Sequence, residues 1–409
     1  MYAHDAASLA VRPGQGRFAA LSIIAVSTVL AMATWFSATA VITDLTAATH
    51  IAQHDRAWIT AAVQLGFVVG TLSSAVLVLP DLLDSRTLMR IGMLVAAAAT
   101  AAIASSPAFL LLLLLRFLTG AGLAIVYPPA VKLLAAWFVR DRGLATGILI
   151  GALTFGSFSP HLLAGAHLPW RAVLLGSSAL ALMGVAVISL LPAPPVRAPS
   201  ARFDILAIPR ILGNRGVLLA DTAYWGHMWE LYAVWAWAPL FLQASLRATH
   251  SHAPPGPLIF MAFGAAGALG CVVAGLLADR IGRSLVAAGA MIVSGTLSFT
   301  IGFTFGMNAW LALSALALWG FSVVADSAQF SAAVTELADP SYVGTALTLQ
   351  MGIGFLITMA TIWLIGALQQ TLGWSHVFAL LALGPALGAT AMLVLRTLPE
   401  ASSMAGGKR

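Results

Sequence analysis

Twelve apolar runs follow one another along this chain of 409 residues, each reaching the roughly 20 residues that a helix needs to cross a hydrocarbon core. They cover residues 18–43, 57–80, 88–107, 109–137, 143–166, 171–192, 216–244, 256–278, 285–306, 309–337, 343–368 and 374–396. Lipid offers no partner to a backbone N–H or C=O group, so a spanning segment must close its hydrogen bonds internally as a helix or within a barrel. Runs of this length without polar alternation predict helices. The expected fold class is therefore an all-α integral membrane protein with twelve transmembrane helices.

Hydrophobic residues at 60% and charged residues at 8% exclude an ordinary soluble domain. The net charge of +6 resembles a nucleic-acid signal only until its residues are placed. They flank the apolar runs, so the partners expected are the bilayer, a small-molecule substrate and protons, with no nucleic acid. The single cysteine, Cys271, lies inside an apolar run and reads as a packing residue, without disulfide framework or metal site. No glycine-rich nucleotide loop followed by Lys-Ser/Thr occurs, so no cofactor, no ATP drive and no enzyme activity are expected. The first run is too long for a signal-peptide core, although Ser37-Ala38-Thr39-Ala40 imitates a cleavage site.

The one substantial interruption is a basic, proline-bearing linker with Pro192, Pro194 and Pro195 followed by Arg197, Arg202, Arg210 and Arg215. It divides the chain into a lead 1–17, a first bundle 18–192, a linker 193–215, a second bundle 216–396 and a tail 397–409. Within the linker, Phe203–Pro209 could lie as a short helix on the membrane surface. With the N-terminus set in the cytoplasm, sixteen Lys and Arg fall on that side and only Arg56, Arg171 and Arg247 on the other, while Arg116 stays within a span. That asymmetry predicts both termini cytoplasmic.

Gly275-Leu-Leu-Ala-Asp279-Arg280-Ile-Gly282-Arg283-Ser284 packs an acid and two arginines between two membrane-length runs. Leu77-Val-Leu-Pro-Asp81-Leu-Leu-Asp84-Ser85-Arg86 is a worn copy that keeps an acid and the final basic residue but loses both glycines. Their acids lie 198 residues apart, and Arg142-Gly143-Leu-Ala-Thr-Gly147 is echoed 201 residues on by Val343-Gly344-Thr-Ala-Leu-Thr348. A duplicated pair of bundles is the architecture such a repeat predicts.

These residues resemble the major facilitator superfamily, whose loop signature reads G-x-L-x-D-R-x-G-R-[RK]. The second copy departs from it only at Ser284. The resemblance is to a bacterial-type, monomeric transporter of the inner membrane, and it implies two pseudo-symmetric six-helix bundles rocking about a mid-membrane cavity. It also implies a cytoplasmic gate built from Asp81, Arg86, Gly275, Asp279, Arg280, Gly282, Arg283 and Arg142, with Asp279 facing the start of the fifth or eleventh span. For Lys132, Arg140 and Arg142 the alternative is simple positive-inside charge.

Ionisable groups inside spans are costly and are functional candidates by default. Leu115-Arg116-Phe-Leu-Thr-Gly120-Ala-Gly122 resembles the family's R-F-x-x-G-x-G signature, where the resemblance implies proton coupling; the alternative is an anchor for bent neighbouring helices. The seventh run carries Asp221, Tyr224, Trp225, His227, Trp229 and Glu230. His227 and Glu230, three apart, share a helix face and can pair, either as a fixed tie or as a proton-sensitive couple. Tyr224, Trp225 and Trp229 are expected at a cavity, and Trp235 and Trp237 in an interfacial belt. In the tenth run, Ser322, Asp326, Gln329 and Glu336 share one stripe, with Asp326 and Gln329 expected to face substrate. Gln64 and Gln350 are weaker candidates, and His161 reads as a hydrogen-bonded structural histidine or a proton site.

The function expected is proton-coupled secondary transport of a small metabolite or organic ion. The Gly-Pro pair of the family's antiporters is missing from Gly147–His161, which disfavours drug/proton antiport. A membrane sensor and an integral-membrane enzyme are the remaining alternatives.

Overall fold

In the computed structural model the described residues are 16–52, 55–105, 108–138, 142–194 and 204–409, and every regular element among them is helical. Residues 1–15 of the lead, residues 195–203 of the linker and Arg140 lie outside them, as do the side chains of Asp81 and Arg142.

Twelve helical stretches follow the apolar runs. We label them α1 (Arg17–Met32), α2 (Arg56–Val76), α3 (Ser85–Ile103), α4 (Phe109–Trp137), α5 (Arg142–Gly165), α6 (Trp170–Ser189), α7 (Arg215–Ala248), α8 (Pro255–Ile281), α9 (Arg283–Thr304), α10 (Ala309–Leu337), α11 (Val343–Leu372) and α12 (Val377–Thr397). Ten are long and apolar enough to cross a membrane; α1 is shorter, and α7 falls outside that set with Asp221, His227 and Glu230 along it. The first run, expected as one span, stops after Met32 and resumes as the short helices Ser37–Ala40 and Ile42–Ala48. Part of the linker is helical, a 3-10 turn at Ile205–Ala207 continuing into a helix at Ile208–Gly213, which overlaps the expected stretch and runs past it.

Local chemistry accounts for several helix starts. Asp84 accepts from Arg86 N at 2.8 Å to cap α3, Asn214 accepts from Val217 N at 3.1 Å to cap α7, and Asn308 accepts from Trp310 N at 2.8 Å to cap α10. Both α4 and α10 are interrupted part-way, at Ile125–Val126 and at Val324–Asp326. In α4 the second piece begins Tyr127-Pro128-Pro129, and proline fits a helix's first turn but not its interior.

The packing repeats between halves. Helix α1 lies on α5 and α6, α2 on α4, and α3 on α4 and α6; likewise α7 lies on α11 and α12, α8 on α10, and α9 on α10 and α12. Two seams join the halves, α5 with α8 and α2 with α11. Along the first, a Cβ at Gly147 would strike the Cys271 carbonyl, one at Gly151 the Ala268 carbonyl, and one at Gly275 the Gly143 carbonyl, so small residues set the approach of these helices.

Burial is inverted relative to a soluble protein. Leu110 is 79% exposed, Trp310 74% and Leu387 65%, whereas Arg116 and Asp221 are 0% and Asp326 is 1%. Apolar side chains outside and ionisable ones inside match lipid as the surrounding solvent.

Candidate substrate and proton site

Asp326 is the last residue of the α10 interruption, and Ser327 opens the next helical piece. The imidazole of His227 on α7 reaches both. Its Nδ1 stands 2.9 Å from Asp326 Oδ1 and its Nε2 3.0 Å from Ser327 Oγ, with His227 and Asp326 each 1% exposed. The Nδ1 contact lies off the line of a good hydrogen bond, so it is a close contact rather than a locked bond. An imidazole between a carboxylate and a hydroxyl keeps a partner in either protonation state, because the hydroxyl can donate to a bare nitrogen or accept from a protonated one.

Glu230 does not pair with His227. Its carboxylate is held by Ser294 Oγ at 2.9 Å, by Trp319 Nε1 at 2.8 Å and by a short hydrogen bond from Ser298 Oγ. Those donors come from α9 and α10, so Glu230 ties three helices of the second half together and faces no cation among the described residues. Ser294 and Ser298 are four apart on one face of α9, a signal present in the sequence. Asp221 is equally enclosed: Gln350 Nε2 of α11 donates to its Oδ1 at 2.9 Å, Ser331 Oγ donates to Gln350 Oε1 at 3.1 Å, and Asp221 Oδ2 has no partner among the described residues.

Other members of the candidate stripe turn elsewhere. Gln329 Oε1 accepts from Arg283 Nη1 at 3.3 Å, and its Nε2 is left without a partner. The indole N–H of Trp225 donates to the Gln350 carbonyl and that of Trp229 to the Leu380 carbonyl, tying α7 to its neighbours. Tyr224 packs against His227 and Phe330 with ring centres 6.1 Å from each.

Arg116 finds no carboxylate among the described residues. Its guanidinium donates to the carbonyls of Ile59 at 3.3 Å and Thr34 at 3.1 Å, and to that of Trp35 in a short hydrogen bond. Thr34 and Trp35 sit in the gap where α1 stops, so the buried cation satisfies carbonyls that the broken helix cannot.

Between the halves lies a layer of buried rings. Trp35 stacks on Tyr232 at 5.7 Å, Phe67 meets Phe355 at 4.5 Å, and Phe158 meets Trp235 at 5.2 Å and Phe263 at 5.6 Å. Trp235, expected in an interfacial belt, belongs to this layer because α7 is enclosed on nearly every side. Several polar atoms there are buried without a partner among the described residues: Trp35 Nε1, Trp235 Nε1, both amide atoms of Gln64 and both ring nitrogens of His161. His161 is buried and stacks on Phe158 with ring centres 5.4 Å apart. Buried polar groups are ordinarily satisfied, and a cluster of orphans calls for a ligand or water.

Away from the termini, the layer gives way to a cavity of about 270 Å³ lined by residues including Arg56, Trp237, Gln243, Arg247, Gln369 and Trp374. A smaller pocket below it is bounded by Thr39, Thr60 and Ile362, and the Thr39 and Thr60 hydroxyls lie 3.0 Å apart. No group of three described His, Cys, Asp or Glu side chains could hold a metal ion.

On the face that carries the chain ends, the two loop motifs differ. Arg283 forms a bidentate ion pair with Glu336 at 2.7 and 2.8 Å. The tail settles on it: Ala405 N donates to Glu336 Oε2 at 3.1 Å and Lys408 Nζ to the Asp279 carbonyl at 2.5 Å. Gly282 has φ +97°, and a Cβ there would strike the Lys408 and Arg409 carbonyls. Asp279 lies against the first turn of α5, where a Cβ on Gly143 would collide with its carboxylate, while Arg280 is exposed. In the first copy Arg86 pairs with Asp84 at 2.7 Å, and its Nη1 donates to the Leu191 carbonyl at 3.0 Å. The Arg86 guanidinium holds the Asp84 carboxyl below the usual carboxylate range.

The profile of the Major Facilitator Superfamily matches residues 24–356. The chain is 24% identical over 239 residues to MFS-type transporter 1 of Ophiocordyceps sp., covering 57% of this chain and 51% of that protein. It is 25% identical over 242 residues to MFS-type transporter pynF of Aspergillus niger, covering 58% and 54%. It is 25% identical over 284 residues to MFS transporter asaE of Aspergillus flavus, covering 67% and 62%. The chain thus spans between half and two thirds of the length of these fungal relatives.

Proposed function

This chain belongs to the Major Facilitator Superfamily, and we propose that it is a secondary active transporter moving a small metabolite or organic ion by alternating access, driven by protons. Twelve spans with both ends cytoplasmic form the frame, as the positive residues favour. The observation that carries the reading is the buried His227–Asp326 contact at the α10 interruption. It is an ionisable couple, shielded from water, at a place where the backbone ladder is already broken.

Protonating the couple leaves a cation facing a carboxylate or a neutralised carboxyl; deprotonating it leaves an uncompensated charge in lipid-like surroundings. Each state favours a different distance between α7 and the second piece of α10, which is how a proton biases one arrangement of the halves. Substrate sits in the ring layer, where Trp35 Nε1, Trp235 Nε1 and Gln64 offer hydrogen bonds that no protein group uses. Asp279 and the Arg283–Glu336 pair close the cytoplasmic side. A carboxylate at a helix N-terminus, as Asp279 is to α5, contributes about 0.3–1 kcal/mol, small enough to break in each cycle.

The test is flux in proteoliposomes carrying an imposed pH gradient, with substrates first chosen by ligand-induced melting shifts of the purified protein. Asp326→Asn should abolish accumulation against a gradient while leaving substrate exchange in place. Undiminished pH-driven accumulation in that variant, or flux indifferent to a protonophore in the parent, would sink the proposal.

A further inference from the structure

We propose that the cavity on the face away from the termini is a binding site for a small organic carboxylate, the first station on the substrate's path from that side. The inference rests on the transport reading only for the word substrate; the site itself stands on its own geometry.

The cavity measures about 270 Å³, close to the lower end of ligand pockets, roughly 300 Å³. Helices from both halves build it: Arg56 comes from the start of α2, Trp237 and Arg247 from α7, and Gln369 from α11. Arg56 is half-buried, and its Nε is enclosed without a hydrogen-bond partner among the described residues. An enclosed guanidinium N–H without an acceptor is costly, and an anion at the cavity wall would complete it. Arg247, exposed at the rim, lines the same space and forms no ion pair among the described residues; Asp44 and Asp55 do not line it.

Two guanidiniums mean an anion, and the planar fork of arginine suits a carboxylate. The rest of the wall narrows the choice. Trp237 and Trp374 supply broad apolar surface, and Trp237 is held in place by its N–H donating to the Ile362 carbonyl at 2.9 Å. The Gln243 and Gln369 amides add donors beside that surface. An inorganic anion would leave the indoles idle, whereas a carboxylate on a small ring or short apolar body uses both. Below, the Thr39–Thr60 pocket leads toward the ring layer with its unused N–H groups, so an anion released by the arginines meets further donors along the way.

The experiment is calorimetric titration of the purified full chain with benzoate, with benzamide as the uncharged match and inorganic phosphate as the competing anion. Benzoate should bind saturably, benzamide should not, and phosphate should displace it poorly. Arg56→Gln and Arg247→Gln should each weaken benzoate on the order of tenfold or more, with Arg56→Lys recovering part of the loss and confirming an intact fold. Benzoate binding is read on purified protein without any flux, so it can fail while proton-driven transport stands, and the reverse, and the two proposals fail separately. Equal binding of benzamide, effective displacement by phosphate, or unaltered affinity in both arginine variants would each overturn the assignment, as would absence of benzoate binding to a folded parent.

Discussion

Asp279 and Gly143 belong to different halves, yet the carboxylate of one fills the space where the other would carry a Cβ. An acid at the first turn of α5 meets the positive end of that helix, worth about 0.3–1 kcal/mol. Gly143→Ala should push the carboxylate away and loosen the face that carries the C-terminal tail without touching the proposed substrate site. Substrate exchange should speed up or slow down by a few-fold with relative preference among substrates unchanged; altered preference would contradict the gate assignment.

Glu230 and Asp326 should part company on mutation. A glutamine at position 230 can still accept from Ser298 and Trp319, and the Ser294 hydroxyl can turn to accept from the new amide. Glu230→Gln should therefore retain proton-driven accumulation and melt within a few degrees of the parent. Glu230→Ala strands the Trp319 N–H and should cost about 1–3 kcal/mol, read as a lower melting temperature in detergent. Loss of coupling in the glutamine variant would move the proton site to Glu230.

Arg116→Lys keeps the charge but not the fork. One ammonium cannot reach the Thr34, Trp35 and Ile59 carbonyls together, so at least one is left bare at a cost of about 1–3 kcal/mol. Melting should fall accordingly, with the pH dependence of flux keeping its shape. A displaced pH profile with parental stability would instead make Arg116 part of the proton relay.

Asp84 sets a small pH dependence. Because Arg86 lowers its pKa in the folded protein, its contribution is complete at neutral pH and is lost as acid protonates it. The group is partly exposed, so the difference between parent and Asp84→Asn should be at most about 1 kcal/mol near pH 7. That difference should vanish as the pH falls through the lowered value. Melting curves of both proteins from neutral pH to about pH 3 check this; a gap that widens in acid would contradict it.

The spans and the loop motif were legible because lipid imposes them: runs of apolar residues have no other stable use, and Gly282 marks a backbone turn that other residues resist. Side-chain partners were not. Spacing put His227 and Glu230 on one face of α7, but that helix is enclosed by α10, α11 and α12 among others, so each face has its own acceptors and donors. A helical wheel reports direction and not neighbour. The same limit hid Trp235, whose place near the end of a run matches a belt until the helices of the first half close over it. Arg116 was left between two roles for a related reason: the gap in α1 that it fills has no proline or glycine to announce it.

The bare strip where Gly147, Gly151 and Gly275 bring backbone against backbone has a mechanical corollary. Interlocked side chains resist shear, since every knob must leave its hole before the next position is reached. A smooth strip has no such teeth, so α5 and α8 can tilt against one another as a journal turns in its bearing. Fitting leucines there would jam the axle.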